Sequence, residues 1–275
     1  MLTTLTTDFL LPTTIAMKTI SLLSWNVNGI RAAERKGFVE WMERGEYDIV
    51  AVQETKVSHP DQLSEKLRAP DGYESYWHSA TEKKGYSGVA IYTKEPPVEV
   101  KTDFGKNILS KEGRVIEVEY PSFTLLNIYF PNGGSGEERL RYKLEFYREF
   151  LKYIVDLREK GRRVIFCGDV NTAHTENDLA RPKENAGVSG FLPIEREWID
   201  ELLERGFLDT FRMFHEGNGH YTWWDMKTRA RDRNVGWRLD YFFVDNSLRK
   251  RVSDAFILSD VPGSDHCPVG LTLSL

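Results

Sequence analysis

Two acidic residues come just after apolar segments, where a carboxylate would lie against the protein core. Glu54 follows the run 48–52, and Asp169 follows the run 163–166. An unpaired carboxylate is costly to bury, and a hard divalent cation would compensate both charges, since Mg²⁺ takes one or two carboxylates together with water and phosphate oxygens. Asn26, at the end of another apolar run, would add a neutral oxygen ligand. Taken singly, each acid is more often an ordinary strand-end residue paired with a Lys or Arg.

A histidine beside an acid adds a second chemical feature. His266 follows Asp265, and Asp240 begins the apolar run 240–244. A carboxylate that binds one ring nitrogen of a histidine fixes its tautomer and favours its charged form, which makes the other nitrogen a donor to a phosphate oxygen. A lone loop histidine is more often bonded only to backbone. The joint occurrence of such residues at the ends of separate apolar runs favours the chemical interpretation.

The residues that would position these groups form alternating strands and helices. Apolar, β-branched runs predict strands at 19–25, 48–52, 88–93, 114–119, 123–130, 163–166, 239–244 and 268–275. Apolar residues at steps of three and four predict helices at 138–160 and 195–205, which Gly161 and Gly206 would end. Near-continuous apolar strands indicate sheets that are buried on both faces, and hence a four-layer α/β/β/α sandwich with the polar groups at one rim.

Chain length and composition favour one domain. The sequence has 275 residues and no Gly/Ser-rich or Pro-rich linker, so we expect a single domain over 18–275, preceded by an extension at 1–17 that is disordered or an artefact of the start assignment. No apolar run is long enough to span a membrane. The two cysteines form no disulfide pattern, which favours a reducing, cytoplasmic location, associated with the nucleoid in a prokaryote.

The net charge needs a local interpretation. A formal charge of −5 argues at first against a nucleic-acid partner. A basic rim around an acidic pocket would nevertheless bind DNA phosphates and a metal together. Such charge runs are usually only solvated faces, so both interpretations stay open here. The basic cluster comprises Lys227, Arg229, Arg231, Arg233 and Arg238.

Seven segments together resemble the exonuclease III family of AP endonucleases, which belongs to the DNase I-like endonuclease/exonuclease/phosphatase superfamily. The resemblance runs from Ile20 to the C-terminus and implies the family's fold, with two stacked mixed β-sheets flanked by helices. The segments are SWNVNGIR at 24–31, QETK at 53–56, GYSGVA at 85–90, NIYFPNG at 127–133, GDVNTA at 168–173, NVGWRLDY at 234–241 and SDHCP at 264–268.

The resemblance implies a metal site and a set of catalytic groups. Glu54 is implied as the principal metal ligand, and Asn26, Asn28 and Asp265 as further ligands or as residues that hold them. Asp169 is implied to orient and deprotonate the attacking water. The other implied catalytic residues are Asn171, which assists Asp169, Tyr129 and His266, which bind the phosphate, and Asp240, which orients His266.

The resemblance also implies a pocket that accepts an extrahelical sugar without a base. Trp223, Trp237 and Leu239 are its implied lining, because aromatic walls suit a deoxyribose and exclude a larger intact nucleotide. Core packing is an equally frequent role for each tryptophan. The full set of expected DNA-binding residues is Asn132, Arg181, Lys183, Trp223, Arg229, Arg231, Arg233, Trp237, Arg238 and Leu239.

The expected activity is that of a Mg²⁺-dependent AP endonuclease and exodeoxyribonuclease III, with Mn²⁺ as a substitute ion. Cleavage 5′ to an abasic site would leave a 3′-OH and a 5′-deoxyribose phosphate, alongside 3′ to 5′ exonuclease and 3′-phosphodiesterase activity and direct incision at damaged bases such as deoxyuridine. We expect a monomer whose partner is double-stranded DNA with abasic or damaged sites. No membrane association is expected. The alternatives are another phosphoesterase on the same fold and an inactive DNA-binding module.

Overall fold

The computed structural model describes residues 18–45, 47–102, 104 and 111–275. The expectation about residues 1–17 therefore lies outside the described part of the chain. The strands are β1 Thr19–Asn26, β2 Ile49–Gln53, β3 Glu74–His78, β4 Val89–Thr93, β5 Glu99–Lys101, β6 Val115–Glu119, β7 Thr124–Tyr129, β8 Val164–Asp169, β9 Phe207–Asp209, β10 Trp223–Trp224, β11 Gly236–Trp237, β12 Asp240–Asp245, β13 Val252–Ile257 and β14 Val269–Ser274. The α-helices are α1 Ile30–Glu34, α2 Phe38–Gly45, α3 Glu65–Arg68, α4 Glu137–Glu159, α5 Pro182–Asn185 and α6 Pro193–Glu204. Short 3₁₀ turns lie at Pro60–Gln62, Glu176–Asp178, Phe211–Met213, Ala230–Arg233 and Asn246–Arg251.

Most of these strands form two mixed six-stranded sheets. The first sheet has the order β13-β14-β1-β2-β4-β3, and the second has the order β5-β6-β7-β8-β12-β9. The pairs β1/β2 and β7/β8 are parallel, and the neighbouring pairs are antiparallel. Leu22 and Ile91 of the first sheet share one buried apolar cluster with Leu125, Ile165 and Phe242 of the second. The sheets are thus stacked face to face.

Helices cover the outer faces of both sheets. Phe150 and Ile154 of α4 and Ile199 of α6 pack with Phe166 and Phe243 of the second sheet. Residues of α1 and α2 pack in the same way on the first sheet, in a cluster with Leu23 and Val50. The prediction of a four-layer α/β/β/α sandwich is confirmed.

The predicted elements are present, with ends that differ by at most three residues. Each sheet ends in two strands that the sequence pattern did not predict: β3 and β13 in the first sheet, and β5 and β9 in the second. An edge strand buries less of its surface than a central strand, so it carries no continuous apolar run. The residues of β3 are exposed or half-buried, whereas those of its neighbour β4 are fully buried.

Strand register brings the polar strand ends to one rim. In the second sheet Asp169 pairs with Tyr129 across β7/β8 and with Asp240 across β8/β12. In the first sheet Asn26 pairs with Gln53, so Glu54 emerges beside it. In the described part of the chain, no helix is both long and apolar enough to cross a membrane.

Candidate active site

Sharp turns after the strands orient the site residues. Asn28, Glu54 and Asn171 have φ angles of 49°, 52° and 55°, in the left-handed region that residues other than glycine seldom adopt. Each of them follows the end of a central strand by one or two residues. Left-handed backbone at such positions is typical of functional sites, because the surrounding structure must stabilise it.

Glu54 lies at the centre of a hydrogen-bonded group. Its Oε1 accepts from Asn26 Nδ2 at 3.0 Å and from the Tyr129 hydroxyl at 2.8 Å, and its Oε2 lies 3.0 Å from Lys56 Nζ. Burial opposes ionisation, but the Lys56 ammonium and these hydrogen bonds outweigh it and hold the pKa of Glu54 below its usual value. Glu54 is therefore a carboxylate at neutral pH.

Asp169 is buried and is fixed by amide donors. Its Oδ2 accepts from Asn26 Nδ2 at 2.9 Å and from Asn171 Nδ2 at 3.2 Å, and its Oδ1 accepts from the Asn171 backbone N–H at 2.8 Å. Burial, with the nearby carboxylates of Asp240 and Glu54, raises the pKa of Asp169 above its usual value, although His266 acts in the opposite direction. A carboxylate with a raised pKa is a better proton acceptor than an ordinary one.

His266 lies between two carboxylates. Its Nδ1 is 2.8 Å from Asp240 Oδ2, and its Nε2 is 3.8 Å from Asp169 Oδ2. Thr222 Oγ1 donates to the same Asp240 oxygen at 2.6 Å. Burial opposes protonation, but Asp240 and Asp169 outweigh it and raise the pKa of His266, so the imidazolium form is favoured. The predicted pairing of Asp240 with His266 is present.

Asp265 belongs to a neighbouring group of hydrogen bonds. It accepts from Asn28 Nδ2 at 2.8 Å and from Trp223 Nε1 at 3.1 Å. Burial would raise the pKa of Asp265, but His266 and these two donors hold it below its usual value. Asn28 Oδ1 in turn accepts from Lys56 Nζ. Asp265 thus connects a pocket wall to the Glu54 group.

These groups face a pocket of about 300 Å³. Glu54, Asp169 and His266 lie on one side of it. Trp223, Trp237 and Leu239, which pack in one apolar cluster, also line it, together with the segment 188–190. The described residues therefore place an acidic, hydrogen-bonded centre directly beside an aromatic wall.

Comparisons with known proteins show the family to which this chain belongs. Residues 23–266 match the model of the Endonuclease/Exonuclease/phosphatase family. The chain belongs to this family. The chain is 43% identical to the "Exodeoxyribonuclease" of Bacillus subtilis, over 93% of this chain and all of that protein, and 39% identical to the "DNA repair nuclease APEX1" of Danio rerio, over 93% and 83%. The solved structure of the AP endonuclease LMAP from Leishmania major has a TM-score of 0.84 and 30% identity, and covers 94% of this chain and 88% of that one.

The four expected metal ligands do not all lie in the close group of possible ligand atoms. Among the described residues, Glu54, Asp169 and His266 each place a possible ligand atom within 4.8 Å of the others, and of these three only Glu54 belongs to the expected set of ligands. Asn26 turns its amide nitrogen toward the carboxylates while its Oδ1 accepts from the Asn28 N–H at 3.0 Å. An amide oxygen has two lone pairs and Asn26 Oδ1 accepts this one bond, so Asn26 as an oxygen ligand stays a prediction.

The structure contradicts one expected DNA contact, and a second expected contact residue makes bonds within the protein. Arg238 is only 1% exposed, and its guanidinium donates to Asp178 at 2.7 Å and to Asp209 at 2.7 and 3.1 Å. It cannot reach a DNA phosphate. Arg231 stacks on Trp224 and donates to backbone carbonyls, Val261 O at 2.7 Å among them, so its guanidinium is held by the protein.

The other expected DNA contacts remain predictions. Arg181, Lys183, Arg229 and Arg233 have exposed side chains. Asn132 lines the pocket and donates to Asn171 Oδ1 at 2.9 Å. Trp223, Trp237 and Leu239 also line the pocket, as described above.

Sequence reasoning assigned no role to several residues that support the site. Lys56 lies within the QETK segment, yet only its contacts with Glu54 and Asn28 reveal its part. Thr222 holds Asp240, and it comes directly before the predicted Trp223. Lys143 is a buried lysine on α4, and its position on the apolar face of a predicted helix was the one available signal.

Proposed function

We propose that this chain is a Mg²⁺-dependent DNA repair nuclease that hydrolyses the phosphodiester 5′ to an abasic site, leaving a 3′-OH and a 5′-deoxyribose phosphate. The observation that carries the proposal is the pocket that Glu54, Asp169 and His266 line together with Trp223 and Trp237. Family membership and the relatives named as exodeoxyribonuclease and DNA repair nuclease support the same activity.

The site residues fit a hard divalent cation. Glu54 is an ionised carboxylate whose side chain is 18% exposed at the pocket, and Mg²⁺ binds few protein carboxylates while water and substrate phosphate complete its shell. Glu54 would hold the ion, and Asp265 and Asn28 would fix the surrounding side chains. When bound, Mg²⁺, or Mn²⁺ in its place, would supply positive charge to the phosphate oxygens.

The chain's own residues would carry the proton and orient the phosphate. Asp169 is positioned by Asn26 and Asn171 to accept the proton of an attacking water. His266, charged and oriented by Asp240, would donate from Nε2 to a phosphate oxygen. The Tyr129 hydroxyl at Glu54 would give a further donor on the same side.

The aromatic wall supports recognition of a missing base. A sugar without a base leaves the helix at little energetic cost, and flat apolar side chains fit its faces. Trp223 is held in place by Asp265, and the rings of Trp223 and Trp237 meet edge to face at 6.5 Å between centroids. Such a rigid wall favours a small extrahelical group over a whole nucleotide.

The same site supports related activities on DNA. A 3′ end placed in the pocket would be a substrate for 3′ to 5′ exonuclease and 3′-phosphodiesterase cleavage. The Bacillus subtilis relative is named an exodeoxyribonuclease, which supports the exonuclease part. Incision at deaminated bases such as deoxyuridine is a separate part of the proposal, because the pocket would then have to admit a nucleotide that keeps its base; a duplex with one deoxyuridine tests it. We propose that residues 18–275 form one monomeric domain that acts on double-stranded DNA in the cytoplasm, at the nucleoid in a prokaryote.

The aromatic wall and the intact polar centre weigh against the two alternatives. A phosphoesterase for small soluble phosphates has no need of a tryptophan wall beside its reactive centre. An inactive DNA-binding module would have lost part of the polar group, whereas here the group forms one connected chain of contacts. The Asn26 amide joins Glu54 to Asp169, and Asp169 contacts Asn171 and His266, which binds Asp240.

The decisive experiment is incision of a labelled duplex that carries one abasic-site analogue. With Mg²⁺ we expect one cut 5′ to the analogue with a 3′-OH product, and no cut in a matched duplex with an intact nucleotide. EDTA should abolish the cut, and added Mg²⁺ should restore it. An uncut abasic strand would contradict the proposed activity, and cutting that persists in EDTA would contradict the metal requirement.

A further inference from the structure

A fully buried ion pair lies directly behind the site. Lys143 on α4 and Glu195 on α6 both have side chains that are 0% exposed, and Lys143 Nζ lies 2.7 Å from Glu195 Oε1. The ammonium also donates to the Asn171 backbone carbonyl at 2.7 Å and to Thr172 Oγ1 at 2.9 Å. All three ammonium protons therefore have acceptors, and two of these acceptors belong to the loop that follows Asp169.

The other end of the pair holds the pocket wall. Glu195 accepts from Ser189 Oγ at 2.8 Å, from the Gly190 N–H at 2.6 Å and from the Leu192 N–H at 3.0 Å. Ser189 and Gly190 line the pocket on the side of Trp237. Glu195 thus fixes the loop 188–192 from behind.

We propose that Lys143 and Glu195 are positioning residues that hold the loop carrying Asn171 in register with the wall of the sugar pocket; this inference rests on the proposed function. Asn171 has left-handed backbone, and its side chain and N–H fix Asp169. The backbone bond from Ala173 N to Gly190 O, 2.8 Å long, joins the same two loops. These bonds thereby fix the distance between Asp169, the proton acceptor, and the pocket wall at Gly190.

The cost of burying charge supports a positioning role over a purely stabilising one. Two apolar residues of similar volume often stabilise a core as well as a buried ion pair does, because each ion must lose its hydration. A buried pair at this place does what apolar residues cannot: it gives directed bonds to a carbonyl on one loop and to N–H groups on the other. A small displacement of groups around a reacting centre lowers rate strongly.

The test uses the double variant Lys143→Met/Glu195→Gln, in which no buried charge is left unpaired and the Gln carbonyl still accepts from the 188–192 loop. On the abasic-analogue duplex we expect kcat to fall by about 10- to 100-fold, as is typical when residues behind a site are changed, while KM changes by less than about threefold. Arg148→Met, on the exposed side of the same helix, is the matched control and should keep full activity. A folded double variant with unchanged kcat overturns the proposal.

A double-mutant cycle separates positioning from general loosening. If the pair acts through Asn171, the same double substitution should reduce the single-turnover rate much less when Asn171→Ala is already present, because coupled residues are not additive. An equal fold-reduction in both backgrounds overturns the inference. Ser189→Ala, which removes one hydrogen bond to Glu195 and leaves the ion pair in place, is the milder variant for the cycle if the double variant unfolds.

A readout without substrate keeps the inference independent of the proposed activity. The Asn171 N–H donates to Asp169 Oδ1, so its hydrogen exchange measured by NMR reports how firmly that loop is held. We expect faster exchange at Asn171 and Gly190 in the double variant, and unchanged exchange in the central strands. Unchanged protection at both residues overturns the inference, whereas a wild-type chain that does not cut abasic DNA contradicts only the proposed function.

Discussion

At the scale of single residues, the environment of a charged group decides its role. Asp169 and Asp178 are both buried aspartates, yet burial with neighbouring carboxylates raises the pKa of Asp169, while two arginines lower the pKa of Asp178 against the effect of burial. The first is suited to accept a proton, and the second is a permanent anion. The same contrast separates buried Arg238 from exposed Arg233.

Replacement of Asp169 by Asn tests its role as proton acceptor. Asn keeps the shape and can still accept from the Asn171 N–H, but it cannot take a proton from water. We expect incision of the abasic duplex to slow by at least about 10²-fold in Asp169→Asn, with the thermal unfolding midpoint preserved. The measurement is single-turnover incision beside circular dichroism. Wild-type turnover in this variant would remove Asp169 from the mechanism.

Arginine replacements separate internal ion pairs from DNA contacts. Arg238→Met leaves Asp209 without its guanidinium partner and should lower the free energy of unfolding by about 3 to 5 kcal/mol, without changing the salt dependence of DNA binding. Arg233→Met should change that free energy by less than about 0.5 kcal/mol and lower the salt slope by about one. Urea unfolding and fluorescence anisotropy at several salt concentrations measure both effects. If Arg238→Met alone lowered the salt slope of DNA binding, Arg238 would be the DNA contact and Arg233 would not.

At the scale of elements, the close contact of β7 and β8 sets the position of Asp169. Gly168 has a φ of 140°, and a Cβ at that position would lie 1.8 Å from the carbonyl oxygen of Ile128 on β7. Only glycine lets the two strands stay in parallel register immediately before the acidic residue. The conformation of one element end is therefore a requirement of the site.

Gly168→Ala is expected to disrupt this contact. The clash is with backbone, which cannot rotate away as a side chain does, so we expect a loss of at least about 3 kcal/mol in the free energy of unfolding, together with loss of incision. Gly187→Ala is the matched control, because a Cβ there meets nothing within 4 Å. Urea unfolding of the two variants gives the comparison, and equal stability of both would refute the steric explanation.

At the scale of the whole molecule, buried ion pairs connect loops that are distant in sequence. Asp178 accepts from Arg238 and Arg212, and Arg238 also binds Asp209, so the segments around these residues are joined behind the tryptophan wall. Within the basic cluster that predicts a DNA-binding surface, Arg238 is internal and Arg231 is half-buried. Arg229, at 85% side-chain exposure, is one of those that remain outside.

The Asp178 pairs predict how stability depends on pH. Because the folded pKa of Asp178 lies well below the unfolded value of about 4, the stabilisation is present above pH 4 and is lost as the pH falls toward the folded pKa. Asp178→Asn should therefore be less stable than wild type at pH 7, and the difference should shrink by about 1 kcal/mol between pH 5 and pH 3. Urea unfolding at these pH values measures it. A difference that does not vary with pH would mean that Asp178 is not held as an anion.

The central strands, the two long helices and the acidic strand ends were determined by the sequence itself. Central strands such as β4 and β8 are buried on both faces, so they carry continuous apolar runs, and α4 repeats its apolar residues at the helical period. The edge strand β13 has buried residues only at Val252 and Ala255 and was not predicted. The pattern of apolar residues predicts a strand or helix well where burial follows the regular period of that element.

Only the tertiary structure decided which charges are internal and what they bind. The partners of Arg238, 29 and 60 residues away in sequence, turn a predicted DNA contact into a core ion pair. Lys143 meets Glu195 across 52 residues, and the amide of Asn26 finds Asp169 across 143. The reason is physical: the free energy of a buried charge or amide depends on the groups that surround it in space, and a linear pattern does not contain those distances.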